Sequence, residues 1–118
     1  MFIDEFRSYC LTKPHTEECL PFDEDTLVFK VAGKMFALIS LSEPKTANLK
    51  CDPERAIFLR EHYSDVIPGW HMNKTHWNTV HLQGALGDTL VRELIDHSYT
   101  EVLKGFSRKR LLELGLSS

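Results

Sequence analysis

The chain has 118 residues, 42% hydrophobic and 26% charged, the size and balance of one folded domain rather than of a disordered segment. Its net charge of −3 argues against capture of nucleic acid by overall charge alone, because an acidic body repels phosphates unless its cations gather on one face. No apolar run approaches the roughly 20 residues of a membrane-spanning helix, and "MFIDEFRSY" carries acids where a secretory signal carries lysines, so a cytoplasmic protein without a membrane partner is expected.

Phe2, Ile3, Phe6, Tyr9 and Cys10 recur at three- and four-residue spacing, which predicts a first helix that stops before Pro14. The acidic "HTEECLPFDEDT" reads as loop with at most a short strand. "TLVFKV" and "KMFALISL" flank Ala32 and Gly33; the glycine can supply a positive φ, which predicts a hairpin. "TANLKC" is a further strand candidate and runs straight into a helix, with Asp52 as its cap and Pro53 in its first turn.

Pro68 and Gly69 keep "VIPGWHMN" extended or turning, and "HWNTVHL" has the composition of a strand. Asp88 is then expected to cap the strongest helix, whose pairs Leu90–Val91, Leu94–Ile95, Ser98–Tyr99 and Val102–Leu103 repeat every four residues. Gly105 can end it. Ser107 can cap a short basic, leucine-rich helix within residues 106–118. This order predicts a single α+β domain over 1–118, an antiparallel sheet with helices on one face and the other face solvated or used.

The chemistry is less marked. Cys10, Cys19 and Cys51 are odd in number and lack CxxC spacing, so they read as reduced, mostly buried thiols. His71, His76 and His81 lie five apart, on no single face of a helix or strand, so one metal site from all three needs a bend. GxSxG, P-loop, GxGxxG and HExxH motifs are missing from the sequence. No catalytic residue, metal or cofactor is therefore expected, with a thiol at Cys51 the one catalytic alternative.

"HMNKTHWN" nevertheless places His71, Asn73, Lys74, His76, Trp77 and Asn78 within eight positions. Asparagine can pair with an adenine edge, lysine with phosphate and an exposed tryptophan with an unstacked base; a strand tryptophan is more often core, and histidine or asparagine beside it usually satisfies local backbone groups. Arg108, Lys109 and Arg110 open the final helix, where positive charge opposes the macrodipole. They can meet an anion, pair with acids or keep a leucine-rich end soluble.

"ANLKCDPERAIFLREHY", "VIPGWHMNKTHWNTVHL" and "LVRELIDHSYTEVL" follow in the order and spacing of the MmcQ/YjbR family of small bacterial proteins, which the chain resembles over nearly its whole length. The resemblance implies a YjbR-like two-layer sandwich, likened to frataxin-like and secretion-chaperone-like folds. It also implies DNA binding through a double wing, one wing at the hairpin around Gly33 and Lys34. The other wing falls in the loop from Gln83 to Gly87, which has no lysine or arginine.

On that reading Lys34 and Lys74 neutralise phosphates and His71 or Asn73 meets base edges, with no enzymatic step. The rival is a module that binds a protein or small molecule on the open sheet face around His71 and Trp77. The placement of Lys34, Lys50, Lys74 and Arg108 separates the two.

Overall fold

The computed structural model describes residues 1–116. Helix α1 (Ile3–Leu11) leads into β1 (Thr16–Cys19), β2 (Thr26–Val31), β3 (Lys34–Ser40) and β4 (Thr46–Lys50). Helix α2 (Pro53–His62), β5 (Val66–Pro68), β6 (Trp77–His81), α3 (Asp88–Leu103) and α4 (Arg108–Glu113) complete the chain. The strands form one six-stranded antiparallel sheet in the order β1-β2-β3-β4-β6-β5. The expected α+β class and one-sided helical layer are both present.

Alternation along the strands assigns the two faces. Leu27, Phe29, Val31, Ile39, Ala47, Leu49, Val66 and Val80 point to the helices and join Phe6 and Cys10 of α1, Ala56 and Leu59 of α2, and Val91, Leu94, Ile95 and Val102 of α3 in one core. Val28, Leu38 and Trp77 form a smaller cluster on the opposite face, with Cys19, Met35 and Met72 against it.

Local signals account for most element ends. Asp52 accepts the Arg55 N–H at 3.1 Å, with Pro53 first in α2, and the Ser107 side chain accepts the Arg110 N–H at 3.1 Å at the start of α4. The turn between β2 and β3 has φ 46° at Ala32 and 89° at Gly33. Both central residues are thus left-handed, as the twist of a tight hairpin favours.

Two expectations are corrected. Gly87, not Asp88, is the N-cap of α3; Asp88 lies one position inside, its carboxylate 3.3 Å from the Met1 ammonium. Phe2 precedes α1 as its N-cap and is exposed, because the buried stripe of that helix begins at Phe6.

A bulge joins the layers. Phe29 pairs with Ala37 and Lys30 with Met35, which leaves Phe36 as an extra residue that turns into the core beside Tyr99, ring centroids 5.4 Å apart. The Ser98 hydroxyl of α3 donates to the Phe36 carbonyl at 2.5 Å and accepts the Lys50 N–H at 2.8 Å. Ser98 is fully buried, so its loss would strand both backbone groups away from water. Ser98→Ala should lower the unfolding free energy by about 1–3 kcal/mol in urea denaturation; a change under about 0.5 kcal/mol would mean that the site relaxes around the missing hydroxyl.

Candidate binding groove on the open sheet face

The connection from β5 to β6 doubles back across the open face. The Gly69 N–H donates to the Trp77 carbonyl at 2.9 Å and Met72 N–H to the Gly69 carbonyl at 3.3 Å. A Cβ at position 69 would lie 2.8 Å from Trp77 Cβ and 2.9 Å from the Trp77 carbonyl oxygen, so this approach requires glycine. Trp70 is then fastened through its own backbone: its N–H donates to Thr79 Oγ1 at 2.8 Å and its carbonyl accepts from Asn48 Nδ2 at 3.1 Å. Thr79 Oγ1 donates to Asn48 Oδ1 at 2.5 Å and closes the ring.

With its backbone held down, the Trp70 side chain stands in solvent, 67% exposed. His71 follows in the left-handed region at φ 58° and meets the indole edge-on, centroids 4.7 Å apart. Together with Met72 they wall a groove of about 420 Å³. Met35, Leu38 and Ser40 of β3 and Thr46 and Asn48 of β4 line it between the flanks, and Phe22, 65% exposed, enters from the β1–β2 connection. Asp25 ties the rim: its carboxylate accepts the Ser40 hydroxyl at 2.6 Å and the Ser42 N–H at 2.8 Å, and these bonds hold it below the usual carboxylate range.

A family model described as YjbR matches residues 11–101. The chain belongs to the YjbR family. It is 39% identical to the Escherichia coli (strain K12) uncharacterised protein YjbR, over 97% of this chain and 100% of that one. It is 37% identical to YbdF of Escherichia coli O157:H7, over 84% of this chain and 82% of that one. The crystal structure of Deinococcus radiodurans protein DR2400 superposes with a TM-score of 0.91 at 42% identity, covering 99% of this chain and 91% of that one. A Pseudomonas syringae crystal structure gives 0.74 at 30% identity, over 86% of this chain and 98% of that one.

The segment that carries the family resemblance mainly builds the loop. Asn73 Oδ1 accepts the N–H groups of Thr75 at 2.9 Å and His76 at 3.2 Å, a local turn. Lys74 Nζ donates to the Gly69 carbonyl at 3.1 Å, while the Lys74 carbonyl accepts from the Arg60 guanidinium. His76 is exposed, and its carbonyl accepts the Cys51 N–H at 2.8 Å. Trp77 is 9% exposed and packs under Met72, so of the two uses open to this ring, packing and base stacking, the structure shows packing.

Asn78 points to the helical side, 2% exposed, with Oδ1 accepting from Arg60 Nε at 2.6 Å. Its Nδ2 is buried without a partner among the described residues. Of the sequence-predicted site residues, only His71 lines the groove. His71, His76 and His81 do not converge: they occupy the loop, the approach to β6 and the far end of β6. Among the described residues no three His, Cys, Asp or Glu side chains are placed to hold a metal ion.

The cations are dispersed in their attachments. Lys34 Nζ donates to the Gly105 carbonyl at 3.3 Å and lies 4.6 Å from the Phe106 ring centroid. Arg108 and Lys109 are exposed on α4, and Arg110 lies 3.4 Å from Glu113. The antiparallel register nevertheless brings Lys34, Lys50 and the Lys74 loop to one end of the sheet.

The sequence does not single out Trp70 or Phe22, which the structure places on the groove. The signal for Trp70 was present in "PGW": an aromatic directly after Pro-Gly sits in a turn rather than on an alternating strand face. Phe22 had only the acidic loop around it and no periodicity to place it.

Cys51, His97 and Asn78 line one small cavity on the helical side of the sheet. Burial raises the Cys51 thiol to about 11. Burial, aided by Arg55, lowers His97, and its Nε2 accepts the Asp52 N–H at 3.0 Å; this favours a neutral ring, so the nearby Glu101 carboxylate is no ion-pair partner. The raised thiol disfavours a thiolate nucleophile at Cys51, and the His97 Nε2 is already occupied by the Asp52 N–H.

Two outcomes are expected. Iodoacetamide at neutral pH should label the half-buried Cys19 well before Cys10 and Cys51; fast modification of Cys51 in the folded protein would restore it as a nucleophile. Gly69→Ala should displace the loop, seen as a changed near-ultraviolet tryptophan signal with the far-ultraviolet spectrum kept; an unchanged signal would show that the 2.8 Å approach can be relieved.

Proposed function

We propose that this YjbR-family protein is a non-enzymatic binding module that takes a small molecule in the groove on its open sheet face. The observation that carries this reading is the pairing of two exposed aromatics, Trp70 and Phe22, on either flank of a groove of about 420 Å³. Its size is within the range of small-ligand sites. Apolar rings exposed singly are ordinary, but two of them gathered with Met35, Leu38 and Met72 around one groove form a contiguous apolar surface of the kind that marks a place of contact.

DNA binding is the second reading, and one observation favours it: Lys34, Lys50 and Lys74 share one end of the sheet. Against it, Lys34 and Lys74 already bond to backbone carbonyls. The loop assigned to the second wing is anchored by an acid, with the Ala85 N–H donating to Asp65 at 2.5 Å.

Titration of ¹⁵N-labelled protein with a mixed set of small charged and neutral fragments tests the first reading. The Trp70 indole N–H and the amides of β3 and β4 should shift together, and Trp70→Ala should weaken the response about tenfold. If no fragment moves these resonances at millimolar concentration, the groove is not a receptor. Labelled duplex DNA should show no saturable anisotropy change at about 50 mM salt. Saturable binding that falls steeply with salt and weakens in Lys50→Ala would instead assign this protein to DNA.

A further inference from the structure

We infer that the groove selects an uncharged, planar aromatic small molecule bearing a hydrogen-bonding group, an inference that rests on the groove being a binding site. Among the described residues its lining contains no Asp, Glu, Lys or Arg, although charged residues make up 26% of the chain. A carboxylate, phosphate or ammonium group drawn into it would lose hydration and find no counter-charge in the lining, and the Asp25 carboxylate at the rim is already engaged by Ser40 and Ser42. This sets the ligand's charge. It also argues against a nucleotide chain, whose every link brings a phosphate.

The walls set its shape. Trp70 from one flank and Phe22 from the other present aromatic surface to the space between them, and such surfaces pair best with a flat ring, stacked or edge-on. Met35 and Met72 line the same space; unbranched thioethers adapt to a ring's outline and interact favourably with its edge. A volume of about 420 Å³ suits about two or three fused rings.

The polar lining sets its substituent. Asn48, Thr26 and Ser40 are committed: Asn48 to Trp70 and Thr79, Thr26 to Asp23 and Ser40 to Asp25. The Thr46 hydroxyl and the His71 ring line the groove and make no hydrogen bond among the described residues. They are the groups left to read a ligand amide or carbonyl at the rim.

Three probes separate these requirements in the full chain by ¹⁵N titration: 2-naphthamide, 2-naphthoate and the saturated decahydronaphthalene-2-carboxamide. Naphthamide should bind at least about tenfold more tightly than either other probe. Trp70→Phe should retain that affinity within about threefold while Trp70→Ala loses about tenfold.

Equal or tighter binding of naphthoate overturns the assignment of charge, and equal or tighter binding of the saturated amide overturns that of shape; in both cases the groove remains a site. A thymidine decamer that binds more tightly than naphthamide overturns the free-ligand assignment. If other fragments bind the groove and none of the three probes does, the inference fails alone. If nothing binds there, the reading beneath it fails too.

Discussion

The Ser98 hydroxyl joins the carbonyl of Phe36 to the N–H of Lys50, and through it α3 is held over the middle of the sheet. The bulge at Phe36 supplies both the aromatic ring that packs against Tyr99 and the carbonyl that Ser98 takes up. Because α1, α2 and α3 all pack on that side, the other face keeps apolar residues of its own that no helix covers among the described residues. Val28, Leu38 and Trp77 must then be sheltered by loops. The β5–β6 connection does so only in part, and the groove is the remainder.

Much of this fold could be read from the chain because its signals are local. Asp52-Pro53, Ser107, Ala32-Gly33 and the four-residue repeat of α3 each specify one element through a cap, a turn or a periodic face, and each is where expected. Asp88 failed as a cap because two adjacent residues could begin the helix, and the chain takes Gly87 in extended backbone before it. The bulge at Phe36 carries no sequence mark at all. Its register depends on what α3 presents from 62 residues away.

The site was less legible for a related reason. Histidine, asparagine and lysine suggest recognition because their polar groups can serve a ligand, but the same groups can satisfy backbone, and sequence does not show which use prevails. Here Asn73 closes a turn, Lys74 reaches Gly69 and Asn78 receives Arg60. Alternation put Trp77 on the open face, yet Met72 and the returning loop cover it. Trp77 is thus the floor of the groove, and the neighbouring ring at position 70, outside the strand, is the exposed one.

That division changes what the family resemblance means for binding. The run from His71 to Thr79 mainly shapes and anchors the loop, and the hydrogen-bonded ring of Asn48, Thr79 and Trp70 holds the indole before any ligand arrives. A wall already ordered costs little further entropy on binding, and the left-handed backbone at His71 is strain that the anchored loop can sustain. Of the residues that would read a ligand directly, His71 and Met72 belong to that run, while Phe22, Met35, Thr46 and Trp70 fall outside it. Proteins can therefore share this loop and this sheet while differing at the contacts that choose a ligand, because a fold carries a site without dictating its chemistry.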